Sequence, residues 1–190
     1  MPSFRRAFVP GGTYFSTIVT YQRQPLFQHT RAVSLLGETI RQCIRQWPLA
    51  VKAIVLLPDH WHTIWSLPSG DCDYSKRIGW LKKEFTKRWI TAGGQEKSTT
   101  ASQRDQRRRG IWQPRFWEHT IEDEHDFERH FDYIHWNPVK HGYSPCPSDW
   151  PWSSFHGWVE RGVYSNRWGC SERKKIAPYG IDKIKDAGEP

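Results

Sequence analysis

His60 and His62 flank Trp61, and on an extended chain two side chains one residue apart project from the same face while the residue between them points to the other. That arrangement suits a divalent cation shared by both imidazoles, with Trp61 packed into a core behind them. The same pair also reads as two hydrogen-bonded histidines on a half-exposed strand, and the spacing alone does not choose. Much further along, Tyr133 and Asn137 are four residues apart in a segment of helical periodicity, so a phenol oxygen and an amide oxygen stack one turn apart. Taken singly, Tyr133 is an amphipathic boundary residue and Asn137 a helix C-cap before Pro138. Taken with His-x-His, they suit phosphoryl transfer: a divalent ion polarises a phosphodiester, a tyrosine oxygen attacks in line and the sugar 3′-oxygen departs. The tyrosine ester keeps the energy of the broken bond, so a 3′-hydroxyl can later reseal the strand without ATP.

Such groups need a strand beneath the histidines and a helix beneath the tyrosine. Thr13 to Tyr21, after the Gly11-Gly12 turn signal, is rich in β-branched and aromatic residues and predicts a first strand. Val33, Leu36, Ile40 and Ile44 recur at helical spacing within 29–47, and Pro48 stops the run. Ala50 to Leu57 and the following HWHTIWSL predict two strands of a hairpin around Pro58-Asp59. A second helix is expected from Tyr74 to about Thr91, with Ile78, Leu81, Phe85 and Trp89 on one face. A further strand, interrupted by Pro114, is expected within 111–121, and a third helix over 122–137, ended by Pro138. In that helix Phe127, Phe131 and Ile134 form the stripe expected to bury against the sheet. Tyr133 then lies about 120° away on a polar face with Asp126, His130 and Asn137. The order strand, helix, strand, strand, helix, strand, helix predicts an α+β domain with a ferredoxin-like antiparallel sheet.

Composition narrows the class of partner. The chain has 190 residues with 28 Lys+Arg against 20 Asp+Glu, a net charge of +8 that favours polyanions. Only 37% is hydrophobic, yet 12 Trp and 9 Phe supply enough large apolar surface to exclude a wholly disordered chain. Cations interleaved with tryptophans suit single-stranded nucleic acid, whose bases stack on rings while its phosphates follow charge. The four cysteines, Cys43, Cys72, Cys146 and Cys170, contain no C-x-x-C pair, so neither a zinc finger nor a disulfide scaffold is indicated and four ordinary thiols are expected. No apolar run approaches a bilayer span and MPSFRRAFVPGG lacks a signal-peptide core, so a cytoplasmic, nucleoid-associated protein is expected.

PGGTYF, LPDHWHTIWSLP, IWQPRFWEHTI, FDYIHWNPVKHGY and DWPWSSF, in that order, resemble the REP-associated tyrosine transposases, a branch of the single-tyrosine HUH transposases with an IS200-like domain. The resemblance runs from about Met1 to Gly169. It implies the HUH endonuclease fold, His60 and His62 as metal ligands, Tyr133 as covalent nucleophile and Asn137 as a third, amide-type ligand, all four counted as catalytic. It also implies Mg²⁺ or Mn²⁺ as cofactor, single-stranded DNA carrying REP hairpins with a short 5′ foot as substrate, and a 5′-phosphotyrosine intermediate. Mobile-element relatives act as dimers, whereas this branch is thought to work as monomers with an extra C-terminal segment; a monomer is expected here, with a dimer left open. The domains expected are a catalytic unit over 1–142 containing a mobile basic loop at 93–110, a Trp/Pro-rich extension over 143–170, and a flexible tail over 171–190.

Candidate DNA contacts are Lys82, Lys83, Lys87 and Arg88 on the second helix, Arg107, Arg108 and Arg109 in the basic loop, Arg115, and Lys140 and His141 after the tyrosine. Each also reads as a solvated charge. Trp117 and Trp136 are candidates for stacking on bases or for packing, and His130, one turn before Tyr133, for helping to remove the phenol proton. The leading expectation is a metal-dependent, sequence-specific DNA-nicking and strand-transfer enzyme. Its alternatives are a non-catalytic architectural protein that binds REP hairpins and a metal phosphodiesterase in which the histidines activate water.

Overall fold

Strands β1 (Thr13–Val19), β2 (Ala50–Leu56), β3 (His60–Ser66) and β4 (Trp117–Thr120) form one sheet in the order β2-β3-β1-β4. Every pairing is antiparallel in this computed structural model, which describes residues 8–106 and 108–170. The helices α1 (Thr30–Gln46) and α2 (Tyr74–Thr91) follow β1 and β3, giving the ferredoxin-like α+β arrangement expected from the patterning. They cover one face of the sheet, where Tyr14, Ile18, Trp61 and Trp65 meet Leu36, Ile78, Leu81 and Phe85. Strand alternation sends Phe15, Val55 and Ile64 to the opposite face, under α4 (Glu124–Lys140). Trp61 is fully buried on the α1/α2 side, as the strand spacing requires, so its neighbours His60 and His62 face α4.

The stretch 93–110, read from sequence as one irregular basic loop, contains the short helix α3 (Ala101–Asp105), opened by a capping box between Thr100 and Gln103. Its ends are joined by a hydrogen bond from Lys97 N–H to the Gly110 carbonyl. Arg107 and residues 171–190, and with them the expected flexible tail, lie outside the described residues.

Helix α4 departs from the sequence reading in two ways. Pro138 lies inside it rather than ending it: its fixed φ near −65° is compatible with the helix, and the loss is its own N–H bond, which a helix buried on two sides tolerates. The helix stops instead at Gly142, which adopts φ +72° and donates to Val139 O while Tyr143 N–H donates to Pro138 O, a Schellman turn. The second departure concerns its faces. His130 and Tyr133 pack on Phe15 of the sheet, with ring centroids 4.9 and 6.0 Å apart, so the stripe read as polar is the one that meets the strands. The Phe131 side is covered by the C-terminal extension, where Trp158 and Tyr164 lie 5.1 and 5.6 Å from its ring. Two different neighbours bury two sides of one helix, and periodicity alone cannot say which neighbour takes which side.

The extension also closes the β2 edge. Leu56 N–H donates to Trp152 O, Ser154 N–H to Ile54 O, and the indole N–H groups of Trp150 and Trp158 to Leu56 O and Lys52 O. Backbone groups that would template edge-to-edge pairing are thereby satisfied within the chain. Helix α5 (Phe155–Glu160) follows, and Cys146 is disulfide-bonded to Cys170, which corrects the expectation of four ordinary thiols. The two cysteines meet only because the chain doubles back across α4, a proximity that sequence spacing does not encode. Gly169 beside the bridge has φ +68°, and a Cβ there would fall 3.0 Å from Trp136 Cδ1 and 3.2 Å from Pro147 Cγ, so any other residue would be both strained and crowded. None of the helices among the described residues is long and apolar enough to cross a membrane.

Candidate active site

β3 carries both histidines to the α4 side of the sheet with ring centroids 4.9 Å apart, and each is almost fully buried. Their Nδ1 atoms are taken up by the protein. His60 Nδ1–H donates to Asp59 Oδ1 at 2.6 Å, and His62 Nδ1 shares a hydrogen bond of 2.8 Å with Thr17 Oγ1 on β1. Both rings are thus held by Nδ1, which leaves Nε2 as the atom each would offer to a metal ion, the kind of support that orients metal-binding imidazoles.

Asp59 is held in turn by Arg23, whose Nη1 donates to Oδ2 at 2.9 Å. Burial pushes the Asp59 carboxyl up, but the contacts from His60 and Arg23 outweigh it and leave the group at about 2, ionised at neutral pH. Arg23 reaches that position from a turn in which Gln22 and Arg23 adopt φ 51° and 48°, a conformation that costs non-glycine residues roughly 1 kcal/mol each. Thr20 holds the turn closed by donating from Oγ1 to Gln24 O at 2.8 Å. The sequence reading missed Asp59, Arg23 and Thr17. An Asp immediately before the first histidine was the one signal available for any of them.

Tyr133 faces His62 across the helix–sheet interface with ring centroids 5.5 Å apart, and it is 2% exposed. It is therefore part of the core as well as of the site, contrary to its expected place on a separate polar face. Lys140 Nζ donates to the Tyr133 phenol oxygen at 3.0 Å and lies 4.7 Å from the ring centroid. Lysine at i+7 from tyrosine is two helical turns away, so α4 sets this contact locally. Asn137 is fully buried one turn after Tyr133, inside the helix rather than capping it. His141 places its ring 5.5 Å from that of His60.

His130 is not the group hydrogen-bonded to the phenol. Its Nδ1–H donates to Asp126 O at 2.9 Å, its ring stacks on His119 at 4.6 Å, and burial lowers its pKa. Asp126 collects this second cluster. His119 Nε2–H donates to its carboxylate at 2.7 Å, Arg129 Nη2 at 3.1 Å and Glu122 N–H at 3.1 Å. The donor atoms of His119, Asp126 and His130 lie within 4.8 Å of one another, close enough to share a cation, but the Arg129 guanidinium on the same carboxylate opposes one. The cluster locks β4 to the first turns of α4. Burial opposes ionisation of Asp126, yet the bonds from His119 and Glu122 and the two imidazoles hold its carboxyl below the usual value.

Asp126→Ala leaves these buried donors without their acceptor and is expected to cost about 3 kcal/mol, lowering Tm by roughly 10 °C at pH 7. Because the folded carboxyl is depressed, its contribution is full above an unfolded value of about 4 and is lost as pH falls through the folded one. Melting curves at pH 7 and pH 3 therefore show a wild-type advantage that shrinks in acid; an equal gap at both would refute this role.

The cationic candidates separate into groups. Lys82, Lys83, Lys87, Arg108 and Arg109 line one groove of about 560 Å³ with Trp112 at its wall, on the α2 side of the sheet and so across it from the histidines. Within it Lys82 Nζ donates to Gln113 O at 2.6 Å, and Arg109 pairs with Glu96 at 2.8 Å. Arg88 points elsewhere, bonding Glu84 at 3.0 Å and Glu38 at 3.4 Å and contacting Gln42, which ties α2 to α1. Arg115 is exposed, and Lys140 and His141 stand at the tyrosine and histidine. Trp136 is 5% exposed and packs, while Trp117 lies edge-on against Phe15 at 5.6 Å.

Residues 9–137 match the family described as Transposase IS200 like, so fold and site together define a single-tyrosine HUH transposase or endonuclease. A protein of Escherichia coli (strain K12) named REP-associated tyrosine transposase is 40% identical over 168 residues, 88% of this chain and 91% of that one. A Haemophilus influenzae protein of the same named group is 40% identical over 176 residues, 93% of this chain and 98% of that one. A solved REP-associated tyrosine transposase bound to a REP hairpin superimposes with TM-score 0.74 at 38% identity, covering 93% of this chain and 96% of the other. The chain belongs to the REP-associated tyrosine transposases.

Proposed function

We propose that this chain nicks and rejoins single-stranded DNA at REP-type hairpins, with Tyr133 as nucleophile and His60, His62 and Asn137 holding a divalent cation, Mg²⁺ or Mn²⁺. The observation that carries the reading is Tyr133 packed against His62 at 5.5 Å with an ammonium 3.0 Å from its oxygen. A relative solved with a REP hairpin bound supports the choice of DNA.

The donor set fits a cation of this kind: two imidazoles with Nδ1 engaged and a buried amide, all at one helix–sheet interface. When bound, the ion neutralises charge on the non-bridging phosphate oxygens. The chain's own groups do the rest. Asp59 and Thr17 hold the imidazoles in place, and Lys140 stabilises the phenolate as the phenol proton leaves to solvent. The Tyr133 oxygen then bonds to phosphorus, the P–O3′ bond breaks, the departing O3′ takes up a proton from solvent, and the products are a 5′-phosphotyrosine and a 3′-hydroxyl. Attack of a 3′-hydroxyl on that ester reverses the step.

The test mixes purified protein with Mn²⁺ and labelled single-stranded hairpins from the DNA flanking its own gene, then runs the product on an SDS gel. A shifted, SDS-resistant band that EDTA abolishes is expected. Cleavage without an adduct would instead assign the attack to water, and binding with neither would leave an architectural protein.

A further inference from the structure

Ser154, in the segment DWPWSSF, is bonded to both sides of the interface that holds the histidines and the tyrosine. Its Oγ accepts from Ile54 N–H on β2 at 2.9 Å and lies 2.9 Å from His135 Nε2 on α4. The place matters, since Val55, the next residue on β2, is paired with His62, and His135 stands two residues after Tyr133. From His135 the chain of bonds continues along α4. Nδ1 lies 3.2 Å from the Tyr164 oxygen, and Tyr164 O–H donates at 2.5 Å to Oδ1 of Asp132, the residue before Tyr133. The proton order is consistent along this chain. His135 is fully buried and burial lowers its pKa to about 3, so its ring is neutral, with one donor and one acceptor. With Tyr164 donating to Asp132, His135 Nδ1–H donates to Tyr164 and Nε2 accepts from Ser154 O–H. The packing of Phe131 on Trp158 and Tyr164 is apolar and tolerates a small slide or rotation of the helix, whereas hydrogen bonds between fixed atoms do not.

We infer that Ser154, His135, Tyr164 and Asp132 are positioning residues that set the height and rotation of α4 over the sheet, and so hold the Tyr133 oxygen in line with a phosphate at His60 and His62. The inference rests on the strand-nicking reading for what Tyr133 does. The four residues act through the helix that carries the nucleophile rather than on DNA. Displacing a reacting atom by about 1 Å costs up to about 10²-fold in rate, so their loss slows the bound complex and leaves binding close to wild type.

The experiment follows adduct formation by full-length protein in single-turnover assays with Mn²⁺ and saturating REP-type hairpin DNA, beside hairpin titrations. Tyr164→Phe keeps the ring that stacks on Phe155 at 5.1 Å and removes only the shared oxygen, while Ser154→Ala removes the bond to the sheet. Each should lower the rate constant by roughly 10- to 100-fold and change hairpin affinity by less than about threefold. A protein that was merely destabilised would lower the fraction of DNA converted and leave the rate constant of its folded molecules in place. Asp132→Asn keeps an acceptor for Tyr164 and should retain most of the rate, whereas Asp132→Leu should fall with Tyr164→Phe. Placement is also read without chemistry, from the NMR line of a single fluorine on the Tyr133 ring, which stands against Phe15 and His62. That line should shift or split in Tyr164→Phe and Ser154→Ala below their melting temperatures. A rate constant within about threefold of wild type in both variants, or a fluorine line unmoved in both, would overturn the positioning role. A wild-type protein that forms no adduct would overturn the nicking reading instead, and the fluorine line alone would then decide whether these residues place the ring.

Discussion

Tyr133→Phe protein is expected to bind hairpin DNA as tightly as wild type and to form no SDS-resistant adduct, with strand cleavage reduced by about 10⁴-fold or more. The substitution removes one oxygen and leaves the ring that packs on Phe15 and His62. Lys140 loses a hydrogen-bond acceptor but is only half-buried and reaches water, so stability should change by about 1 kcal/mol or less. Fold and affinity thus stay close to wild type while the nucleophile disappears. Single-turnover cleavage assays beside hairpin titrations separate the two quantities. Residual cleavage within tenfold of wild type would mean that water attacks and that the tyrosine only orients the strand.

The histidine pair was legible because a strand of period two needs no knowledge of its neighbours: His60 and His62 share a face and Trp61 takes the other wherever the strand lies. The sheet itself was legible for a related reason, since each strand carries its own β-branched and aromatic signature. Tyr133 is legible as one of a helix face, yet its surroundings are not. Helical periodicity fixes which residues share a side, and the stripe at 126, 130, 133 and 137 was read correctly as one side. What buries each side depends on chain from elsewhere, here the sheet against His130 and Tyr133 and the extension against Phe131. The groups that orient the histidines come from β1, from the turn after it and from the residue before β3, and no local pattern links Thr17 or Arg23 to His60 and His62. The disulfide was hidden for the same reason.

The two cationic regions lie on opposite sides of the sheet, which divides their physical roles. The groove lined by Lys83, Lys87 and Arg108 presents exposed charge and suits a duplex or backbone held by its phosphates. The end of α4 offers one ammonium at the phenol, beside the buried histidines.

Lys140→Met is expected to slow adduct formation at pH 7 by roughly 10- to 100-fold at saturating DNA. An isolated tyrosine has a pKa of about 10, so few phenols are ionised near neutrality, and a cation within hydrogen-bond reach favours the phenolate. The ammonium 3.0 Å from the oxygen supplies that charge. Removing it makes the anion harder to form, so the rise of rate with pH should move upward and the variant should regain activity in alkaline buffer. Lys140→Arg keeps a charge near the oxygen and should lie between the two. A lysine that only contacts DNA phosphate would behave differently: its loss would weaken binding and lessen its salt dependence, while the pH profile at saturating DNA stayed in place. Measuring the single-turnover adduct rate from pH 6 to pH 10 for the three proteins decides between these, and superimposable profiles would remove Lys140 from the chemical step.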